Sequence, residues 1–208
     1  WTLASWSPPT STCRGCRHEG RSKGTGRRGP ALSLLAIDVG NTEITLGLKS
    51  ADGWRARWRL RTSDRRTADE YREIVRGLFR IDGLELEVVR FVAISCVVPS
   101  ITETMTVVSV SLFDVEPLVV VPGVRTGLEV RYEPASHLGS DRILDAVAAR
   151  AKLGAPVIVV DFGTATTITV VAADGALVGG AIAPGVGVAA EALARFGARL
   201  TRIDLAAR

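Results

Sequence analysis

The chain has 208 residues, 47% of them hydrophobic, with a mean hydropathy of +0.23, enough for one large domain or two small lobes around a real core. No apolar run reaches the roughly 20 residues of a membrane span, which excludes a transmembrane role for a helix. The formal charge of +4 would suggest an anionic partner, but it is concentrated at one end: Arg14, Arg17, Arg21, Lys23, Arg27 and Arg28 stand against the single acid Glu19, and the remainder is close to neutral.

Residues 1–33 are rich in Ser, Gly, Pro and Arg and show no periodicity, so they are expected to be a disordered basic extension. The seven-residue run 31–37 is too short and too abruptly ended by Asp38 to be a signal peptide; it reads as a buried strand. Cys13 and Cys16 form a C-x-x-C beside His18, without well-spaced further ligands for zinc, and read as two thiols on a loose tail. Three cysteines make no disulfide framework and fit a reducing, cytoplasmic setting.

Thr42 to Leu48 reads as a strand, residues 50–53 as a turn, and Trp54 to Leu60 as the returning strand. Alternation places Trp54, Ala56, Trp58 and Leu60 on one face, facing the core, and Arg55, Arg57, Arg59 and Arg61 on the other. An arginine face beside tryptophans could bind nucleic acid. The expectation is instead a solvated sheet face whose charges guard against edge pairing. Thr67-Ala68-Asp69-Glu70 is a capping box for a helix with Tyr71, Ile74, Val75, Leu78 and Phe79 on its apolar stripe. Phe91 to Val98 reads as a buried strand in which Cys96 is a small core residue. Pro99 and a second capping box, Ser100 to Glu103, open another helix; Leu118 to Val121 is a strand; and a Gly/Pro loop leads to a helix near Asp141 to Lys152, with Ile143, Leu144, Val147 and Ala151 inward.

From Val157 the opening scheme restarts. A strand ends in Asp161, followed by a strand at 168–172, a turn at Asp174-Gly175, a strand at 176–182 and a helix at 188–196. The two openings share one device. Asp38-Val39-Gly40-Asn41-Thr42 and Asp161-Phe162-Gly163-Thr164-Ala165-Thr166 each put an acid where an apolar run stops, then glycine, then hydroxyls. Glycine lets the backbone close around an anion through φ > 0, and amides with threonine hydroxyls can hold phosphate oxygens. An Asp beside phosphate requires a cation between them, such as Mg²⁺. Two such turns facing each other would grip a nucleotide triphosphate. The expected fold is therefore α/β with two similar lobes, 34–155 and 156–208, and a ligand cleft between them. The second lobe is expected to be C-terminally incomplete, since far less chain follows Asp161 than separates it from Asp38.

No P-loop, dinucleotide-binding or hydrolase nucleophile motif occurs. One further segment could carry chemistry, Gly139-Ser140-Asp141-Arg142, at a helix start. Its structural reading makes Ser140 an N-cap, Asp141 a dipole partner and Arg142 an exposed first-turn residue. Its functional reading makes Asp141 the acceptor of a substrate hydroxyl proton in phosphoryl transfer and Arg142 a fork for a carboxylate or phosphate. Asp145, one turn on, reads as surface, and His137 has no assigned role.

These motifs, with 66–71, 95–99, 122–127 and 179–185 in order between residues 34 and 205, resemble the type III pantothenate kinases of the actin/sugar-kinase/Hsp70 ATPase superfamily. The resemblance implies duplicated ribonuclease-H-like lobes and ATP-dependent phosphorylation of pantothenate, the first step toward coenzyme A. It implies Asp141 as proton acceptor, and Tyr132, Gly139, Ser140, Asp141 and Arg142 at pantothenate. It implies Asp38, Val39, Gly40, Asn41, Thr42, Glu43, Ile44, Thr45 and Thr164 at ATP. Asp161 would be the ligand of a monovalent cation, K⁺ or NH₄⁺, needed besides Mg²⁺. It further implies a homodimer with no nucleic-acid or membrane partner. Ser140 stands where the family usually has Ala, and Glu43 adds a negative charge near the phosphates. The alternatives are a non-catalytic ATP-binding or regulatory relative of the same fold, and a kinase for another small hydroxylated substrate.

Overall fold

The computed structural model describes residues 33–197; the basic extension, the Cys13–Cys16 pair with His18, and the end of the resemblance at Leu205 lie outside the described residues. Strand β1 (Ser33–Val39) turns into β2 (Glu43–Ser50) and β3 (Gly53–Arg61), all antiparallel. Helix α1 (Ala68–Ile81) then crosses over to β4 (Val89–Cys96), parallel to β1, and α2 (Pro99–Phe113) crosses to β5 (Leu118–Val120), parallel to β4. The sheet order is β3-β2-β1-β4-β5. After a loop comes α3 (Ser140–Leu153), then a second sheet of β6 (Val157–Phe162), β7 (Ala165–Val171) and β8 (Leu177–Pro184), again antiparallel in sequence order, and α4 (Val186–Phe196). The expected α/β duplication of ribonuclease-H-like, actin-like lobes is thus present: each lobe opens with the same three-stranded antiparallel run. Among the described residues no helix is long and apolar enough to cross a membrane.

The first core lies on one face of the larger sheet. Leu35, Ile37 and Val39 of β1, Ile44, Leu46 and Leu48 of β2, and Val92 and Ile94 of β4 pack on Tyr71, Val75 and Phe79 of α1 and Ile101, Met105 and Val108 of α2. Strand alternation puts Asp38, between Ile37 and Val39, on the opposite face. The capping box forms as expected: Glu70 N–H donates to Thr67 Oγ1 at 3.3 Å and Thr67 N–H to Glu70 Oε2 at 2.8 Å. A smaller core of Leu138, Ile143, Ala146, Val171 and Leu177 seats α3 on the second sheet. On β6, Ile158 and Phe162 remain 64% and 72% exposed, and α4 buries none of its residues. Among the described residues β1 pairs on both sides, β6 only with β7.

Three expectations require correction. Trp54 is on the arginine face, not the core face. A bulge pairs Leu48 with Ala56 but Lys49 with Trp54, so Arg55 is the extra residue and the side-chain alternation slips. The Trp54 ring lies across Gly47, where even a methyl would collide with it, and the Arg57 guanidinium sits 5.0 Å from its centre. Trp58 does face the core, and its Nε1–H donates to Asp82 at 2.8 Å. The second capping box does not form: Pro99 takes the first helical position, Val98 precedes it, and no side chain caps the helix. Within α3, Ala151 is exposed, because Ser140, Arg142, Ile143 and Ala146 occupy the inward positions.

Candidate functional site

The two Asp-Gly turns meet. Thr42 Oγ1, in the turn after β1, and Thr164 Oγ1, in the turn after β6, are 2.8 Å apart across 122 residues of chain. Each turn continues a hairpin in which the acid is the penultimate strand residue. Asp38 pairs with Thr45 and Asp161 with Thr167. The second turn is one residue shorter: Gly40 N–H donates to Glu43 O at 3.0 Å, Gly163 N–H to Ala165 O at 3.0 Å. Neither glycine adopts positive φ, contrary to expectation. Gly40 is required instead by close approach, since a Cβ would stand 3.1 Å from the Glu43 carbonyl oxygen.

Residues 38–45 divide by alternation. Val39 and Ile44 are fully buried in the first core, so only their backbone is available to a ligand. Asn41, Thr42 and Glu43 are exposed. The charge expected from Glu43 is partly answered by Arg59, 3.5 Å away on β3. Thr62, which sequence reasoning did not single out, braces the turn: its hydroxyl donates to Gly40 O at 2.7 Å and its N–H to Thr42 O at 3.0 Å.

Helix α3 aims its first turn at the same place. The Asp141 carboxyl folds back over Gly139, occupying the space a Cβ there would need, and accepts the Arg142 N–H at 2.8 Å. Ser140 is not the N-cap, a position held by Gly139. It is 5% exposed, and its hydroxyl lies 3.0 Å from Ser95 Oγ of β4 and accepts the Cys96 N–H at 3.1 Å. Arg142 is not an exposed first-turn residue. It is 3% exposed, its Nε donates to Thr169 Oγ1 and its Nη2 to Ile168 O of β7, both at 3.1 Å, and it lies 5.6 Å from the centre of the Tyr132 ring. Its planar fork locks α3 to the second sheet, leaving one amino group uncommitted among these bonds.

Four carboxylates, Asp38, Asp141, Asp145 and Asp161, lie within one another's field. Asp38 is pushed up to about 6, first by burial and then by Asp141 and Asp161, with a hydrogen bond from Ser95 opposing the rise. Asp161 is raised for similar reasons, burial first and then Asp141. Asp145, expected at the surface, is instead turned into this field: burial, then Asp161, Asp141 and Asp38, push it up to about 7. Its spacing of four residues from Asp141, one helical turn on the same face, was the legible signal. Among the described residues no three His, Cys, Asp or Glu side chains converge closely enough to cage a metal. Carboxylates and hydroxyls do suit a hard cation that takes most of its ligands from phosphate and water.

The arrangement brings two acid-glycine turns, unfavourably crowded acids and a helix N-terminus together where the two sheets meet. Such a site fits a polyphosphate carried with a cation. A family model described as type III pantothenate kinase matches residues 34–208. The chain is 44% identical over 172 residues to the type III pantothenate kinase of Moorella thermoacetica, covering 83% of this chain and 68% of that protein. It is 46% identical over 173 residues to that of Anaeromyxobacter sp. strain K, with the same coverages. Among solved structures, the ethanolamine utilization protein EutJ from Carboxydothermus hydrogenoformans superimposes with a TM-score of 0.47 at 20% identity, over 77% of this chain and 55% of that one.

Proposed function

The chain belongs to the type III pantothenate kinase family, and from that premise we propose that it transfers the γ-phosphoryl group of ATP to the primary hydroxyl of pantothenate, giving 4'-phosphopantothenate for coenzyme A synthesis. The observation that carries this reading is the meeting of the two turns at Thr42 and Thr164, which supports one phosphate being held from both lobes.

In this reading the turn amides and hydroxyls of 40–45 and Thr164 hold phosphate oxygens. Phosphoryl transfer asks the protein mainly for alignment and charge neutralisation. Asp38 and Asp161 are the oxygen donors for cations at that site: Mg²⁺ accompanying ATP, and at Asp161 a monovalent K⁺ or NH₄⁺. When bound, these ions neutralise charge on the phosphates. The raised pKa values of Asp38 and Asp161 fit such a role, because crowded carboxylates gain most from a cation. Asp141 accepts the proton of the pantothenate hydroxyl as it attacks. Tyr132, Gly139 and the uncommitted amino group of Arg142 bound the pantothenate subsite beside it. A cytoplasmic homodimer completes the proposal, read out by light scattering.

The test is pantothenate-dependent ADP release in the presence of Mg²⁺ and K⁺. Asp141→Asn is expected to lower kcat by a factor on the order of 10²–10⁴ while ATP binding by calorimetry is retained. Unchanged turnover would remove Asp141 from the proton-transfer role, and ADP release indifferent to pantothenate would point to another acceptor.

A further inference from the structure

Thr62 and Gly185 stand at the same place in the two lobes, each directly after the third strand of its antiparallel run, β3 and β8. Each donates its backbone N–H to the carbonyl of a turn threonine: Thr62 N–H to Thr42 O and Gly185 N–H to Thr164 O, both at 3.0 Å. These are the two threonines whose hydroxyls meet at 2.8 Å. The lobes differ at the glycine carbonyl before each threonine. In the first, the Thr62 hydroxyl donates to Gly40 O at 2.7 Å. In the second, the backbone at Gly185 approaches so closely that a Cβ would collide with the Gly163 and Thr164 carbonyl oxygens. The φ of Gly185 is −64°, which any residue adopts, so space alone demands the glycine.

A trans peptide points its carbonyl and the next N–H in opposite directions. Holding Gly40 O and Thr42 O towards Thr62 therefore turns the Asn41 and Glu43 N–H groups away from it. Holding Thr164 O towards Gly185 does the same for the Ala165 N–H. The first clamp is itself fixed to the core. Ser63 N–H donates to the Tyr71 hydroxyl at 3.0 Å, that hydroxyl donates to Ser63 O at 2.9 Å, and Tyr71 is fully buried on α1.

We propose that Thr62 and Gly185 are paired positioning residues for the polyphosphate. Each sets the peptide planes of its turn from the side of the third strand, Thr62 with an amide and a hydroxyl, Gly185 with an amide and bare backbone contact. Neither touches the ligand; they act through the turn amides that do. The inference rests on the kinase reading for its ligand, but not for its geometry.

The test uses Thr62→Val, Thr62→Ser and Gly185→Ala in the full chain, with kinetic constants for both substrates, ATP affinity by calorimetry and amide exchange by NMR. Thr62→Val keeps the shape and loses the hydroxyl donor; it is expected to raise KM for ATP about fivefold, with KM for pantothenate within about twofold. Thr62→Ser restores the donor and is expected to stay within about twofold of the wild type for both. Gly185→Ala must displace turn carbonyls and is expected to raise KM for ATP at least about tenfold. Should it fail to fold, the two Thr62 variants still decide the first clamp. Thr67→Ala, which loses a helix cap without touching the turn, is the control for destabilisation alone. In the ligand-free wild type the Thr62 and Gly185 amides are expected to exchange slowly. An unchanged KM for ATP in Thr62→Val, no rescue by Ser, an equal rise in KM for pantothenate, or fast exchange of either amide would each overturn the proposal. If the wild-type chain does not phosphorylate pantothenate, the kinase reading fails by itself, and ATP affinity and amide exchange still decide the clamps.

Discussion

Replacing Asp145 by Asn is expected to stabilise the protein, and to do so only where Asp145 would be charged. Its carboxyl is raised from 3.8 to about 7, by burial first and then by Asp161, Asp141 and Asp38. At about 1.4 kcal/mol per pH unit this displacement corresponds to a cost of about 4 kcal/mol for the ionised form. The group is only half-buried, and solvent screening reduces the figure to about 2 kcal/mol. Because the folded value lies above the unfolded one, the penalty is absent below about pH 4, grows as pH rises, and is complete above about pH 7. Asn carries no charge at any of these values. The variant should therefore melt about 5 °C above the wild type at pH 8, and within about 1–2 °C of it at pH 4.5. Paired thermal melts at the two pH values check this. An equal shift at both, or a loss of stability at pH 8, would refute the placement of Asp145 in the shared field.

Two further outcomes follow from packing. Gly180→Ala would drive a methyl into the Ile168 carbonyl oxygen and the Arg142 guanidinium, displacing β8 from β7 and freeing Arg142. It is expected to cost about 3 kcal/mol or more in urea unfolding and to raise KM for pantothenate, whereas a neutral result would show that β8 shifts freely. Thr67→Ala removes the acceptor for Glu70 N–H and should cost about 1 kcal/mol in the same assay without changing either KM.

The local grammar of the chain was legible where short-range physics decides the outcome. The first hairpin followed from alternation around Gly53, and α1 from Thr67 and Glu70. The acid-glycine turns followed from an Asp that ends each of two apolar runs. What escaped depended on partners remote in sequence. Nothing near Arg142 indicates that β7, 26 residues on, supplies acceptors that bury it. Ser95 carried no reading of its own in the buried strand 91–98, because only the pairing with β1 puts Asp38 beside it. Trp54 was misplaced because one bulge reverses the parity of everything beyond it, and no alternation count registers a bulge. The helix-start reading of Ser140 failed because a hydroxyl so placed had a better acceptor and donor on β4 than its own backbone.

The contact between Thr42 and Thr164 has a thermodynamic consequence for ligand entry. Two exposed hydroxyls that clasp each other form a gate of about one neutral hydrogen bond, on the order of 1 kcal/mol. A guest whose oxygens bond to both hydroxyls repays that cost at once, whereas an apolar visitor of the same width does not. The clasp therefore acts as a small toll levied on any guest without oxygens to offer.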